Sequence, residues 1–214
     1  MIKTKWLVLI VIVMECFVSS IVKAGDLHEA AKQGDLTKVR QLLDRRIDVN
    51  AKDADNATPL MWAAQNGQME VCKALLTKGK ADVNVTGDKG GTALMFAAVK
   101  GHAEVVKLLL DSGANVNTKS NDGYAALGMA AGNGYTEVVK LLLDKGADAN
   151  NKTNKGVTAL MAAAVKGHAE VVKLLISNGA NVNAKANDGL TALIGATMKG
   201  HTEIAKLLKQ AGAK

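Results

Sequence analysis

This chain of 214 residues is poor in proline, cysteine and aromatic side chains. Two cysteines cannot form the framework of crosslinks that holds a disulfide-stapled toxin together. Aromatic residues make up only 3% of the chain, so a core must be packed from Leu, Val, Ala and Met, which favours close-packed helices over a β-sandwich. With 48% hydrophobic and 22% charged residues, the composition is that of a globular protein and excludes a multi-span membrane protein.

The excess of positive charge is modest and is not concentrated in one stretch of sequence. The 27 basic and 20 acidic residues give a formal net charge of +7 at pH 7. Proteins that bind nucleic acids usually add to such an excess a cluster of Lys and Arg, which this sequence lacks. We therefore expect no nucleic-acid partner.

The first 24 residues differ from the rest of the chain. Lys3 and Lys5 form a basic start, the segment from Trp6 to Met14 is apolar, and Ala24 provides a small residue at a cleavage point. This order is typical of a secretory signal peptide. We therefore expect residues 1–24 to be removed and the remaining chain to act in the periplasm or as a secreted protein.

An uncleaved membrane anchor is the alternative interpretation of the same segment. It would run from Trp6 to Val22, which is slightly short for a bilayer, and it would bury the carboxylate of Glu15. The chain would then be a scaffold tethered to a membrane. In both cases we expect the remaining residues to lie outside the cytoplasm.

From residue 25 onward, one motif recurs six times at intervals of 33 or 34 residues. The leucines that mark it are Leu27, Leu60, Leu94, Leu127, Leu160 and Leu193. A glycine follows each leucine, at Gly34, Gly67, Gly101, Gly134, Gly167 and Gly200. Five units close on an asparagine, at Asn50, Asn84, Asn117, Asn150 and Asn183. Such a period predicts a repeat array and leaves no room for a second domain within residues 25–214.

Each unit predicts two helices followed by a tight turn. In the third unit, Thr92–Gly101 has an N-capping threonine, apolar residues at helical spacing and a glycine stop. The segment His102–Ala114 starts a second helix, which is apolar on one face and ends at Gly113. Asn115–Tyr124 then supplies the Asn, Asp and Gly residues that tight turns require.

A unit of this length with two helices and a turn resembles the ankyrin repeat, and the resemblance covers roughly Gly25–Lys214. The segment GVTALMAAAVKGHAEVVKLLISNGANVN carries most of the consensus, and Thr58-Pro59-Leu60 keeps the start of the TPLH signature. The histidine of that signature is replaced by Met61, Met95, Met161, Ile194 and Gly128. This replacement predicts the loss of one side-chain hydrogen bond from each turn.

The resemblance implies an all-α solenoid of about six stacked helix–turn–helix units with β-turn or hairpin fingers. The predicted units are an N-terminal capping unit (25–53), four repeats (54–87, 88–120, 121–153 and 154–186) and a C-terminal capping unit (187–214). Capping is inferred from residues that break the apolar pattern on one side of each terminal unit, namely Lys38, Gln41, Ala205 and Lys209. We expect the array to be complete.

No residue pattern predicts catalysis, a cofactor or a metal site. The histidines His102, His168 and His201 lie one or two whole units apart, and the resemblance implies that they brace neighbouring turns. Cys72 stands at a core position, where Val106 stands in the next unit. We therefore expect that the chain is not an enzyme, and a redox or enzymatic role of Cys72 or the histidines is the minor alternative.

The resemblance implies that a partner protein is bound in a groove formed by the turn tips and the exposed face of the first helix of each unit. Trp62, Phe96 and Met129 share one position on that face, and Tyr124 lies at a turn tip. Trp and Tyr are enriched at interface hot spots. We expect this groove to bind a protein and no small-molecule substrate. The candidate binding residues are Trp62, Phe96, Tyr124, Met129, Lys89, Lys100, Asn121, Asp122, Lys155, Lys166, Asn187, Asp188 and Lys199.

The lysines in this set give the expected groove its charge. Lys100, Lys166 and Lys199 would line it and favour a partner with an acidic surface. The alternative is that these lysines only face solvent, and that Trp62 and Phe96 fill space between neighbouring helices.

Overall fold

The computed structural model of the chain describes residues 24–214. The predicted signal peptide and the alternative membrane anchor lie outside the described residues, so both stay predictions. Within residues 24–214, no helix is both long enough and apolar enough to span a membrane.

Residues 24–214 contain twelve α-helices and no strand. They are α1 (Ala24–Gln33), α2 (Leu36–Asp44), α3 (Pro59–Gln65), α4 (Met69–Thr77), α5 (Ala93–Lys100), α6 (Ala103–Asp111), α7 (Ala126–Asn133), α8 (Thr136–Asp144), α9 (Ala159–Lys166), α10 (Ala169–Ser177), α11 (Ala192–Met198) and α12 (Thr202–Gln210). Consecutive helices form six hairpins, which we number unit 1 to unit 6; each has a first and a second helix. The predicted all-α architecture of about six helical hairpins is confirmed.

Threonine hydroxyls begin four of the first helices. Thr58 Oγ1 accepts a hydrogen bond from the backbone N–H of Met61, at 3.4 Å. Thr92, Thr158 and Thr191 make the same bond to the residue three positions later, at 3.3, 3.3 and 3.1 Å. These bonds satisfy backbone donors that have no partner within the helix, so the local sequence sets where each helix starts.

The methionine of the first turn has a polar role that we did not expect. The backbone N–H of Thr58 donates to Met61 Sδ at 3.4 Å. The predicted loss of a side-chain hydrogen bond is therefore wrong at this turn, because the thioether sulfur accepts the bond.

The helices pack in two rows. Each first helix contacts the first helix of the next unit, and each second helix does the same in the other row. Fully buried alanines lie at one position of the first helices, namely Ala63, Ala97, Ala130, Ala163 and Ala196. Because alanine is small, neighbouring helices approach closely, and the core is built with few aromatic rings.

Asparagine side chains join each unit to the next. Asn84 Oδ1 accepts from the backbone N–H of Asn115 at 2.8 Å, and its Nδ2 donates to the carbonyl of Gly113 at 3.1 Å. Asn117, Asn150 and Asn183 make the same pair of bonds. The recurring asparagine therefore satisfies an amide and a carbonyl of the following turn, which fixes the stacking of the units.

The repeated histidines brace neighbouring units, as predicted. His102 Nε2 lies 3.1 Å from the carbonyl oxygen of Gln65, and the imidazole lies against Gly67. His168 and His201 make equivalent contacts two and three units further on. At Gly67 a Cβ atom would lie 2.8 Å from the ring, so the glycine is needed for this close approach as well as for its φ of +69°.

The two terminal units expose side chains where the inner units bury theirs. Lys38 and Gln41 are exposed in unit 1, and Lys209 is exposed in unit 6. In unit 3, Val105 and Leu110, which are equivalent to Lys38 and Lys209, are buried, and Leu108, which is equivalent to Gln41, is half-buried. These exposed side chains agree with polar outer faces on the terminal units, and the role of these units as caps stays a prediction.

Candidate partner-binding surface

Trp62, Phe96 and Met129 follow one another along the row of first helices. All three are half-buried, on α3, α5 and α7 respectively. The same position is Ala162 in unit 5 and Gly195 in unit 6. The surface therefore changes from large to small side chains along the array, as the sequence predicts.

Trp62 is held in place by unit 1. Its Nε1 donates to Asp53 Oδ2 at 2.6 Å, and Lys32 Nζ lies 4.7 Å from the ring centroid. Burial opposes ionisation of Asp53, yet its pKa is lowered because this bond, the N–H groups of Ala57 and Asp55 and the nearby His28 favour the carboxylate. The indole is thus fixed in one orientation, with part of its surface covered by Lys32.

Phe96 packs beneath the turn that precedes its own helix. A Cβ atom on Gly91 would lie 3.2 Å from Phe96 Cζ, so the ring and the turn are in close contact. This contact agrees with the alternative that Phe96 fills space, although the ring is only half-buried. Phe96 is therefore only partly available to a partner.

Tyr124 is the most accessible of the predicted aromatic side chains. It is 42% exposed and stands beside a small cleft between units 4 and 5. The cleft is lined by Tyr124, Leu127, Gly128, Asn151, Thr153 and Ala162, among others. It lies at the position that a buried methionine side chain fills in units 2, 3 and 5, where Gly128 provides none.

The side-chain amide of Asn151 lines this cleft. Its Nδ2 donates to the carbonyl of Gly123 at 3.2 Å, whereas its Oδ1 is buried and has no hydrogen-bond partner. A buried acceptor without a partner costs about 1–3 kcal/mol. Sequence reasoning missed this cleft, although two departures from the repeat, Gly128 and Asn151, were visible as its signal.

The turn tips are bonded to one another. The backbone N–H of Asn121 donates to the carbonyl of Lys89 at 2.8 Å, and the N–H of Asn187 donates to that of Lys155 at 3.0 Å. Asn187 Nδ2 also donates to the carbonyl of Asn154 at 3.0 Å. Asn187, a predicted binding residue, therefore also holds two tips together.

The exposed residues at the tips alternate in charge. Successive tips carry Asp55, Lys89, Asp122, Lys155 and Asp188 at one repeat position, and all are exposed. No ion pair joins them within residues 24–214. Lys89, Asp122, Lys155 and Asp188 are thus available for contact, on an edge whose charges largely offset each other.

The predicted lysines of the first helices are also exposed. Lys100 and Lys166 end α5 and α9, and Lys199 follows α11 directly. Their ammonium groups complement the negative ends of the helix dipoles. They share one repeat position, which Asn66 and Asn133 interrupt.

The cysteine and histidine side chains considered for redox or acid–base chemistry are buried in the core or bonded to backbone carbonyls. Cys72 is fully buried, and burial raises the pKa of its thiol to about 12. His102, His168 and His201 are each bonded to a carbonyl at a different junction. Within residues 24–214, no group of three His, Cys, Asp or Glu side chains could hold a metal ion.

Short segments of this chain, each about a quarter of its length, are similar to segments of known proteins. A stretch is 50% identical over 56 residues to the palmitoyltransferase akr1 of Schizosaccharomyces pombe, covering 26% of this chain and 9% of that protein. Another is 42% identical over 52 residues to osteoclast-stimulating factor 1 of Rattus norvegicus, covering 24% of each. The ankyrin repeat domain-containing protein oryK of Aspergillus oryzae is 37% identical over 54 residues, which are 25% of this chain and 9% of that protein.

The family model "Ankyrin repeats (3 copies)" matches residues 27–120 and 127–214, which together are most of the chain. The stacked hairpins, the asparagine and histidine bonds between units and the glycine stops account for this match in physical terms. The chain belongs to the ankyrin repeat family.

Proposed function

We propose that this ankyrin repeat protein is a non-catalytic scaffold that acts outside the cytoplasm and binds a partner protein along its first helices and turn tips. Ankyrin repeats are protein–protein interaction modules, so the general class of function is protein binding. The observation that supports the proposed surface is the exposed Tyr124, which stands beside an open cleft on a frame of bonded units. Tyrosine is among the residue types that are enriched at interface hot spots.

The absence of catalysis is part of the proposal. A thiol whose pKa is raised to about 12 is protonated at neutral pH, and the core shields Cys72 from reagents. A thiol-reactive probe applied to the folded protein should therefore leave Cys72 unlabelled. Rapid labelling of the native protein would support the redox alternative instead.

The location outside the cytoplasm rests on the pattern of residues 1–24. Cleavage after Ala24 predicts a natural product that starts at Gly25, whereas an anchored scaffold retains Met1. Intact-mass measurement of the protein isolated from its natural source separates the two. A full-length mass in a membrane fraction would favour the tethered scaffold.

The binding surface is tested by side-chain replacement. Affinity purification from the extracytoplasmic fraction should recover a partner in stoichiometric amount, and Tyr124→Ala should weaken its binding at least about tenfold, as is usual for an aromatic hot spot. Tyr135→His is the matched control. Tyr135 is exposed as well, but it lies against Gly101 at the position where other units carry the bracing histidine.

Equal binding by the unmodified chain, by Tyr124→Ala and by the double variant Trp62→Ala/Phe96→Ala would refute the proposed surface. The folded state of each variant is checked by its thermal midpoint. This check matters for Trp62, because its replacement also removes the hydrogen bond to Asp53.

A further inference from the structure

Four loops between units carry a lysine at one repeat position that the candidate surface does not include. Each lysine lies fifteen residues before the glycine that ends the first helix of its unit. We call this set the loop lysine column; it consists of Lys52, Lys119, Lys152 and Lys185. In unit 3 the position is occupied by Thr86.

Lys119, Lys152 and Lys185 of the loop lysine column belong to three successive units, and none of the column lysines forms a salt bridge within residues 24–214. All four side chains are exposed. Lys152 Nζ donates to the backbone carbonyl of Lys185 at 3.3 Å, so this side chain reaches along the array to the next member. The lysines that form salt bridges in residues 24–214 are Lys78, Lys145 and Lys173, and none of them belongs to the column.

Lysines on the second helices have a different environment. Lys107, Lys140 and Lys206 each follow a glutamate by three residues on the same helix. Like the column lysines, they are exposed and occupy one repeat position. On a helix this spacing brings the two opposite charges close together, whereas the column lysines lie in loops and form no salt bridge, so the column is the better site for a negatively charged ligand.

The spacing of the column matches an extended polypeptide. Neighbouring packed helices lie about 8–10 Å apart, which sets the step between successive units. An extended chain advances about 3.3–3.6 Å per residue, so about three ligand residues correspond to one step. The run from Lys119 through Lys152 to Lys185 thus suits carboxylates at every third position of a ligand.

The acidic groups near the column argue against a nucleic acid as its ligand. The tip carboxylates of Asp55, Asp122 and Asp188 lie three residues after Lys52, Lys119 and Lys185. Asp148 lies in the turn that leads to Lys152, and Asp53 is bonded to Trp62. A nucleic acid has a charge at every phosphate, about every 3.4 Å along a strand in duplex DNA, and would meet these carboxylates, whereas a polypeptide can place its charges on the lysines alone.

We propose that the loop lysine column binds an extended acidic segment of a partner protein, with a carboxylate at about every third residue. This inference rests on the proposed function as a protein-binding scaffold and names the chemistry of the partner. The contacts are exposed ion pairs, so the binding weakens as salt concentration rises.

The test uses a fluorescein-labelled twelve-residue peptide, four repeats of Glu-Ser-Gly, and measures its binding to the full chain by fluorescence anisotropy at low salt. The triple variant Lys119→Gln/Lys152→Gln/Lys185→Gln should weaken binding about tenfold, because three exposed ion pairs contribute up to about fivefold each. The matched control Lys107→Gln/Lys140→Gln/Lys206→Gln removes the same charge and should change binding less than about twofold. Circular dichroism verifies that both variants are folded.

Three outcomes would overturn the proposal. These are equal losses in the two triple variants, no binding of the peptide to the unmodified chain, and tighter binding of a twelve-nucleotide oligothymidylate through the same lysines. The peptide measurement does not use the natural partner. If the peptide fails to bind, the proposal for the column is wrong but the proposed scaffold function still stands. If Tyr124→Ala binds the natural partner as well as the unmodified chain does, the surface around Tyr124 is wrong but the column is not affected.

Discussion

The first helices of units 4 and 5 occupy equivalent places in the array with very different residues. Helix α9 reads ALMAAAVK and begins at the N-capping hydroxyl of Thr158. Helix α7 reads ALGMAAGN, and its N-cap residue, Ala125, makes no side-chain capping bond. Gly128 and Gly132 of α7 correspond to Met161 and Val165 of α9.

This difference teaches that packing can maintain a helix that its own sequence supports poorly. Each interior glycine costs about 1 kcal/mol relative to alanine, and a missing cap costs about 1 kcal/mol more. Helix α7 forms because Leu127, Ala130 and Ala131 are buried in the row between α5 and α9. We therefore expect low local stability beside Tyr124 and the cleft at Gly128, as is common for surfaces that bind ligands.

The largest expected effect on stability comes from replacing Met161 of unit 5 by glycine, the residue that unit 4 carries at the equivalent position 128. Met161→Gly removes a buried side chain from α9 and adds a glycine to the helix, so we expect a loss of about 3–5 kcal/mol in the free energy of unfolding. Urea denaturation measures the loss, with the exposed Lys166→Gln as control. A loss below about 1 kcal/mol would mean that the methionine side chain contributes little to the free energy of unfolding, and that Gly128 does not weaken unit 4.

The comparison predicts unequal hydrogen exchange in the unmodified protein. Amides of Ala126–Asn133 should exchange faster than those of Ala159–Lys166, by up to about a hundredfold, if two glycines and a missing cap lower the opening free energy by about 2–3 kcal/mol. Both helices lie inside the array, so end fraying does not enter the comparison. Equal protection would show that the array opens as one cooperative unit.

Exchanging the capping residues should shift stability in opposite directions. Thr158→Ala removes the bond to the N–H of Met161 and should lower the free energy of unfolding by about 1 kcal/mol. Ala125→Thr should raise it by about the same amount, since threonine is the residue that caps four other first helices. Thermal or urea unfolding of the two variants and of Thr158→Ser, which keeps the hydroxyl, measures both shifts. The capping argument fails if the serine variant loses as much as the alanine variant.

The smallest expected effect is a gain from filling one helical position of α7. Gly128→Ala should stabilise the protein by about 0.5–1 kcal/mol, because no heavy atom lies within 4 Å of the added Cβ. Gly195→Ala is the matched contrast, since its Cβ would lie 2.5 Å from Val165 Cγ2, and we expect a loss. Urea denaturation measures both; the same sign for the two variants would contradict this account.

Sequence reasoning identified the features that recur with the repeat. The threonine caps, the buried Cys72 and the bracing His102 were all predicted, because each follows from a residue type at a fixed position. It did not find the ring of Trp62 beneath Lys32, or the unpaired Asn151 Oδ1. The first is a contact between two units and the second is an acceptor that the neighbouring unit leaves unpaired, so both depend on how neighbouring units are shifted and rotated.

The order of helices, their ends and the apolar positions were determined by the sequence itself, because caps, glycine stops and hydrophobic spacing act within a few residues. Only the tertiary structure decided that Gly128 opens a cleft beside Tyr124, and that the side chain of Lys152 reaches the loop of Lys185. The period of the repeat shows which residues are equivalent in different units. Whether equivalent side chains are covered, paired or left free depends on the neighbouring units that pack against them.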